Sequence, residues 1–174
     1  MCYFDKFNIG NNNNYIEYIF NIEEPRIIKL LSYDKDDNFL FNKNEEIGDY
    51  LDLYINNNKI NFCTKYNFKK IGKYQIKSNC ERELIHVKKI FSKCYFSTFL
   101  NLLNFNTNNN NDNDMSDLFS DYSSLTSLNL SNFNTNKINN MECIFDGVPV
   151  YCKIITKSNK LLNKFKNDSI LKYN

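Results

Sequence analysis

Residues 115–145, MSDLFSDYSSLTSLNLSNFNTNKINNMECIF, decide how the rest of the chain is interpreted, because they contain an internal repeat. The block Met115–Phe119 (MSDLF) recurs as Met141–Phe145 (MECIF), 26 positions further along the chain. Upstream, the block VKKIF at 87–91 precedes MSDLF by 28 positions. Self-similarity at a period of about 20–50 residues is typical of folds built from stacked units.

The repeat extends to apolar positions as well as polar ones. The triplet FNT at 105–107 recurs 28 positions later at 133–135, and the two extra residues of this spacing fall in the polar run NNNNDND at 108–114. An Asn-rich chain can repeat Asn by chance, but drift in polar composition does not align apolar positions. The aligned apolar sets are Phe91/Phe119/Phe145, Ile90/Leu118/Ile144, Leu100/Leu128, Leu102/Leu130 and Phe105/Phe133.

Each unit has two halves with different apolar periods. Met115, Leu118 and Phe119 follow the spacing i, i+3, i+4, which predicts a short helical turn. Leu128 and Leu130 lie two positions apart, as on one face of a short strand. A unit of about 26 residues cannot bury its apolar face alone, so neighbours must stack. The pattern predicts an α+β fold: a short leucine-rich-repeat-type solenoid with one short helix and one parallel strand per unit.

Residues 115–141 resemble the BspA-type leucine-rich repeat, a family common in bacterial surface lipoproteins and expanded in several protists. The family's unit reads approximately NMSxMFxxCxSLxxLxLSxFNTxxVxxM, and the resemblance covers roughly residues 85–156. Its Cys position holds Cys94, Tyr122 and Val148 in successive units, and Ser97 stands where the first unit should have Leu. The resemblance implies a scaffold for binding rather than a particular activity.

The segments outside the repeat predict a cap at each end of the solenoid. Alternating apolar residues predict an antiparallel N-terminal sheet with strands at 15–22, 26–33, 50–55, 59–66 and 73–77 and a hairpin turn at 56–58, since Asn tolerates positive φ. The predicted organisation is a disordered lead-in at 1–14, a β-rich N-terminal domain at 15–80, the solenoid of two units and a partial third at 85–156, and a C-terminal capping helix at 157–174.

The C-terminal segment combines a last strand with an amphipathic helix. Residues 152–156 (CKIIT) predict the strand, and Ser158 is a suitable N-cap for the helix. The helix is predicted to turn Leu161, Leu162 and Phe165 inward and Lys160, Lys164 and Lys166 outward.

Composition excludes several classes of protein. The chain has 22 cationic and 20 anionic residues, a net charge of +2, so no strong field favours nucleic acid. No apolar run approaches the roughly 20 residues of a membrane span, and no signal peptide is visible, which favours a cytoplasmic location. The six cysteines form no CxxC pair, and with one histidine in the chain we expect reduced thiols and no zinc site. The sequence leaves the oligomeric state open.

Two acidic segments invite a metal-binding interpretation. Asp34–Asn38 with Glu45 follows the carboxylate spacing of an EF-hand loop, but Phe39 occupies the position at which that loop needs Gly. Asp112, Asp114 and Asp117 are explained by a polar loop and a cap before a helical turn. We therefore predict no metal site and no cofactor.

Two further features invite catalysis or nucleic-acid binding. His86 is the only imidazole, and no catalytic motif surrounds it. Lys65, Lys69, Lys70 and Lys73 surround Tyr66, Phe68 and Tyr74, a pattern that suggests a nucleic-acid surface but is more typical of a strand with one wet and one packed face. The second interpretation is favoured, and no catalytic residue is predicted.

These observations predict a non-catalytic protein-interaction module that binds another protein of unknown identity through its exposed repeat face. The candidate partner-binding residues are Thr126, Ser127, Asn129, Ser131 and Asn132. Two alternatives remain open: a secreted or cell-surface adhesion protein, as the resemblance implies for bacterial members, and a structural remnant of a longer repeat array.

Overall fold

The computed structural model of the protein describes residues 15–31, 51–80, 91–103 and 114–170. Within these ranges the chain is mostly β, with nine strands and one helix. The strands are β1 (Tyr15–Ile22), β2 (Arg26–Lys29), β3 (Leu51–Ile55), β4 (Asn58–Ile60), β5 (Lys65–Phe68), β6 (Gly72–Cys80), β7 (Ser97–Asn101), β8 (Ser127–Asn129) and β9 (Lys153–Ile155), and the helix is α1 (Asn159–Ile170).

Seven of the strands form one mixed sheet in the order β4-β3-β6-β1-β7-β8-β9. Strand β1 lies near its centre and pairs antiparallel with β6 on one side and with β7 on the other. Strands β7, β8 and β9 are parallel to one another. The remaining two strands, β2 and β5, pair antiparallel in a second, smaller sheet. The mixed sheet is therefore continuous from the N-terminal hairpins to the sequence repeat.

The predicted fold class is wrong. In place of an α+β leucine-rich-repeat solenoid capped by a separate antiparallel sheet, the described chain has a seven-stranded mixed sheet, a two-stranded sheet and one C-terminal helix. The three parallel strands contain three to five residues each and extend the antiparallel strands edge to edge. The pairing of β1 with β7 joins the antiparallel strands to the three parallel strands. Sequence periodicity gives no information on which strands become neighbours.

The short helix predicted in each unit is also absent from the described residues, because turns take its place. Asp117 and Asp121 have φ of 55° and 61°, a left-handed conformation that interrupts an α-helix. Alternate backbone N–H groups of residues 115–121 donate to carbonyls of residues 140–146. These donor–acceptor pairs are Met115–Asn140, Asp117–Glu142, Phe119–Ile144 and Asp121–Asp146, at 2.6 to 3.0 Å.

The left-handed positions follow the period of the sequence repeat. Cys143 and Gly147 lie 26 positions after Asp117 and Asp121 and also have positive φ, 52° and 80°. A Cβ at Gly147 would lie 2.7 Å from the Asp121 Cα, too close for any side chain. We call residues 115–122 and 141–148 the turn segments. Their close stacking explains why glycine occupies position 147.

Asparagine side chains accept backbone hydrogen bonds at the ends of strands and in turns. The Oδ1 atoms of Asn101 and Asn129, which occupy equivalent positions in β7 and β8, each accept a backbone N–H two residues later at 3.1 Å. Asn134 and Asn140 do the same at 2.9 and 3.0 Å. Because Asn and Asp favour this local bond, the Asn-rich composition has a structural use in the turns.

Alternating burial explains why β1 is a strand at the centre of the sheet. Ile16, Tyr18, Phe20 and Ile22 are buried on one face, as the period-two pattern predicts. The hairpin between β3 and β4 turns at Asn56 and Asn57, whose φ values of 47° and 68° confirm the predicted turn. The segment 59–66, in contrast, was predicted as one strand and is divided between β4 and β5, which belong to different sheets.

The hydrophobic core is continuous along the molecule. Phe91, Phe119 and Phe145 are buried and stacked, with ring centroids 5.9 and 5.8 Å apart and interplanar angles of 6° and 14°. This confirms that the matching phenylalanines of the repeat point into one interior. Further rings extend the row at both ends, through Tyr18, Phe20 and Phe68 on one side and Phe165 on the other, with neighbouring centroids 5.4 to 6.2 Å apart.

Helix α1 begins as the sequence predicts. The Ser158 hydroxyl accepts the N–H of Leu161 at 3.3 Å and lies 2.9 Å from the Thr135 hydroxyl. Leu161 is buried and Phe165 packs edge-on against Phe145. The helix therefore closes the core at the β9 end.

The lysines of α1 were all predicted to point outward. Lys160 and Lys166 are exposed as predicted, although the Lys160 ammonium also donates to the Ile138 carbonyl. Lys164 is half-buried and forms an ion pair with Asp168 at 2.8 Å. The predicted lead-in at 1–14 lies outside the described residues. The predicted division at residues 80 and 85 stays a prediction, although the sheet and core are continuous across it.

Candidate interaction surface

The seven-stranded sheet has one face toward the core and a second face with side chains at least partly accessible to solvent on most strands. We call the second face the open face. Cross-strand register places one row of seven neighbouring side chains on it, one from each strand. From β4 to β9 the row contains Lys59, Tyr54, Lys77, Glu17, Asn101, Asn129 and Ile155.

A second row on the open face has an apolar centre. Ile19 of β1 lies directly opposite Phe99 of β7, and both are half-buried. Polar residues flank this pair, and the row from β6 to β9 contains Gln75, Ile19, Phe99, Ser127 and Lys153. An apolar centre with a polar surround resembles the anatomy of protein interfaces, in which aromatic residues are enriched at the core.

Aromatic side chains extend the open face toward β3. The Lys77 ammonium lies 3.9 Å from the centroid of the Tyr15 ring, a cation–π arrangement. Tyr54 lies opposite Lys77, and its hydroxyl donates to Asp52 Oδ2 at 3.3 Å. Asp52 also forms a 2.6 Å ion pair with Lys59. The aromatic rings on this part of the face are therefore held by neighbouring charged groups.

Glu17 is a buried carboxylate at the centre of the open face, with only 7% of its surface accessible. The Gln75 side-chain amide donates to its Oε1, and the Asn101 side-chain amide donates to its Oε2 at 3.2 Å. Because an unpaired buried charge is costly, these two amides stabilise the carboxylate and are fixed by it in turn. A hydrogen-bonded polar network therefore lies on β6, β1 and β7 beside the apolar pair Ile19 and Phe99.

The five residues predicted to bind a partner do not all lie on this face. Ser127 and Asn129 lie on the open face of β8. The Thr126 hydroxyl donates to the Thr98 carbonyl at 2.7 Å, and the Asn132 amide donates to the Leu103 carbonyl at 2.7 Å.

Ser131, the fifth residue, donates through its hydroxyl to Asn129 Oδ1 at 2.7 Å. Thr126 and Asn132 thus bond to a neighbouring part of the chain, whereas Ser131 bonds within its own turn.

A cluster of buried titratable groups lies in the core between β1 and the repeat. Burial raises the pKa of the Cys94 thiol to about 12. Burial also raises the pKa of the Tyr18 and Tyr122 hydroxyls well above their ordinary value, with a further contribution from Cys94. The Cys94 thiol donates weakly to the Leu30 carbonyl at 3.6 Å. A protonated, enclosed thiol is a poor nucleophile at neutral pH, and all three side chains of the cluster belong to the hydrophobic core.

Carboxylates surround Cys143 on the turn segments. Partial desolvation raises the pKa of this exposed thiol, and Asp117, Glu142 and Asp146 raise it further. Among the described residues no group of three or more His, Cys, Asp or Glu side chains is arranged to hold a metal ion. The candidate calcium loop at 34–45 and His86 lie outside the described residues.

The basic and aromatic segment at 65–74 has one wet and one packed face. Phe68 is buried, and its ring contacts Tyr66 and Tyr74 at centroid distances of 4.8 and 4.7 Å. The lysines of this segment are exposed. These three rings pack together in and against the core, but they come from β5 and β6, which belong to different sheets, and not from one strand. The expectation that this segment does not bind nucleic acid stays a prediction.

Most of the open face was missed by sequence reasoning. The alternation in YIEYIFNI assigns Tyr15, Glu17 and Ile19 to the face opposite the core, and this signal was available. The sequence does not show that β1 lies between β6 and β7, which is what brings Ile19 beside Phe99. A surface assembled from strands that are far apart in the sequence cannot be identified until the strand order is known.

Comparison of the chain with protein families, curated proteins and solved structures finds no match. The resemblance of residues 115–141 to BspA-type repeats therefore stays a prediction. Across the described ranges, no helix has the length and apolar character needed to cross a membrane.

Proposed function

We propose that the protein is a non-catalytic protein-interaction module that receives another protein on the open face of its seven-stranded sheet. The observation that carries this proposal is the composition of the face: the apolar pair Ile19 and Phe99 is surrounded by polar and charged side chains. Protein interfaces share this arrangement of an apolar centre and a polar rim.

The dimensions of the face suit a protein partner. Six inter-strand steps separate β4 from β9, and at about 4.8 Å per step the face is about 29 Å wide. This width can accommodate an extended segment or a small domain surface.

The backbone behind the face is rigid. Hydrogen bonds to both neighbouring strands hold β1, and the buried row of aromatic rings supports the sheet from the core side. The Glu17 network fixes two further side chains on the face. A partner would therefore meet a preorganised surface, which reduces the entropy lost on association.

The decisive experiment uses a Phe99→Ser variant, with Tyr151→Ser as the matched control. Tyr151 is 69% exposed and belongs to the loop before β9. Partners captured by the full-length wild type are identified, purified and titrated against all three proteins, after circular dichroism has confirmed that each variant is folded. We expect Phe99→Ser to weaken binding by about tenfold or more, as for a residue at the centre of an interface. Equal affinities for all purified partners would refute the proposal.

No described contact favours the two alternatives, a secreted or cell-surface adhesion protein and a remnant of a longer repeat array. Both stay predictions. Fractionation of tagged protein tests the first, and failure to find any partner that depends on the open face would favour the second.

A further inference from the structure

Charge is distributed unequally between two surfaces of the molecule. Among the residues that the structure describes, the open face carries Lys59, Lys73, Lys77 and Lys153, against the two carboxylates of Asp52 and Glu17. Of these carboxylates, Asp52 is already paired with Lys59 and Glu17 is buried. The net charge presented to a partner is therefore positive.

The turn segments show the opposite pattern. Residues 115–122 and 141–148 contain four carboxylates and no lysine or arginine. These carboxylates belong to Asp117, Asp121, Glu142 and Asp146, and each is at least partly exposed. An approaching anionic segment is attracted by the open face and repelled by the turn segments, so electrostatics selects the face on which it docks.

We propose that the partner segment is an extended acidic polypeptide with an apolar residue between its carboxylates; this inference rests on the proposed function of the open face. Lys77 and Lys153 lie four strands apart, with Ile19 and Phe99 between them. Four steps of about 4.8 Å span about 19 Å, which about six extended residues cover. Carboxylates at the ends of such a segment reach the two lysines, while a central apolar side chain covers Ile19 and Phe99.

A nucleic acid fits the same face less well. A phosphodiester chain carries one negative charge per nucleotide and requires continuous basic contacts. Here the three strands between those of Lys77 and Lys153 contain no lysine and present the apolar pair Ile19 and Phe99 instead. A polypeptide can place an apolar side chain over this pair, which a phosphate backbone cannot do.

The test uses three synthetic seven-residue peptides with blocked ends: Glu-Ser-Ser-Leu-Ser-Ser-Glu and its versions with Gln or Lys in place of both Glu residues. Each is titrated at low salt into ¹⁵N-labelled full-length protein, and backbone amide shifts locate the site. We expect the Glu peptide to shift amides of the open face and to bind at least about threefold more tightly than the Gln peptide. In the double variant Lys77→Gln/Lys153→Gln this preference is lost, whereas in Lys166→Gln, a control on α1, it is kept.

Each other outcome overturns the inference. If all three peptides bind the open face equally, the acidic partner is excluded while the proposed function survives. If the Glu peptide shifts amides of the turn segments, or of no segment, the inference fails, and the Phe99→Ser experiment then decides separately whether the face binds protein. Tighter binding of a ten-nucleotide oligouridylate to the open face would assign this surface to nucleic acid instead.

Discussion

Phe119 is the position at which the stacked core can be tested most directly. Its ring lies between those of Phe91 and Phe145 at centroid distances of 5.9 and 5.8 Å, and all three side chains are essentially inaccessible to solvent. A third ring, Phe133, lies 6.2 Å away. Substitution of Phe119 therefore removes contacts on both sides of the ring at once.

The expected loss of stability can be estimated from these contacts. Truncation of a buried Phe to Ala costs about 3–5 kcal/mol, and contacts on both faces of the ring place Phe119→Ala toward the upper end of this range. Phe119→Leu keeps most of the volume and removes two stacked pairs at about 0.5–1.5 kcal/mol each, so about 1–3 kcal/mol is expected. Because domains are stable by only about 5–15 kcal/mol, both losses are large.

Urea unfolding followed by far-ultraviolet circular dichroism measures these losses, since the chain has no Trp for fluorescence. Tyr151→Leu, at an exposed ring, is the control and should change the free energy of unfolding by less than about 0.5 kcal/mol. A double-mutant cycle between Phe119→Leu and Phe145→Leu should give a coupling of about 0.5–1.5 kcal/mol. The reasoning is refuted if Phe119→Ala costs no more than the control.

Three further predictions concern a turn, a helix cap and the thiols. Gly147→Ala should destabilise the protein by more than about 1–2 kcal/mol in urea unfolding, since positive φ and the nearby backbone of Asp121 both oppose a Cβ; a neutral effect would contradict the close stacking of the turn segments. Ser158→Ala should lower the free energy of unfolding by about 1 kcal/mol and Ser158→Asp should not; equal losses would rule out the cap. The Cys94 thiol has a pKa of about 12 when folded against an ordinary value of 9.0, so its stabilisation is complete below pH 9 and is lost toward pH 12. Wild type should therefore lose stability more steeply than Cys94→Ala between pH 9 and pH 12, by about 1 kcal/mol per pH unit, and identical pH slopes would be inconsistent with the burial of Cys94. At neutral pH a thiol reagent should modify Cys143 but not Cys94, and rapid modification of Cys94 would contradict its burial.

The buried row of phenylalanines was predictable because it depends on sequence spacing alone. Matching offsets place Phe91, Phe119 and Phe145 at equivalent positions. Their rings can stack whether the backbone between them forms helices or turns. The Ser158 cap and the turn at Asn56 were predictable for the same reason, since a few adjacent residues determine each of them.

The secondary structure of the turn segments was not predictable from the same spacing. The i, i+3, i+4 pattern of Met115, Leu118 and Phe119 fits a helix, and it also fits a turn that points the same three side chains inward. The choice depends on whether backbone N–H groups bond within the segment or to the next segment, and here alternate N–H groups bond to the next segment. Side-chain periodicity does not report on that choice.

The location of the open face, like the conformation of the turn segments, was not predictable from the sequence. The longer strands carry a period-two signal, yet the surface exists only because β1 pairs with both β6 and β7, and these pairings join residues 50 to 84 positions apart in the chain. The repeat alone predicts a binding surface around β8, but the side chains of Thr126 and Asn132 donate hydrogen bonds to the neighbouring part of the chain. The residues free of such roles in the middle of the face, Ile19 and Phe99, come from two strands that the sequence had assigned to different parts of the molecule. A binding surface that crosses an internal repeat and an unrelated hairpin can therefore be located only from strand order, and substitutions at Phe99 are a sharper probe of partner binding than substitutions in the repeat itself.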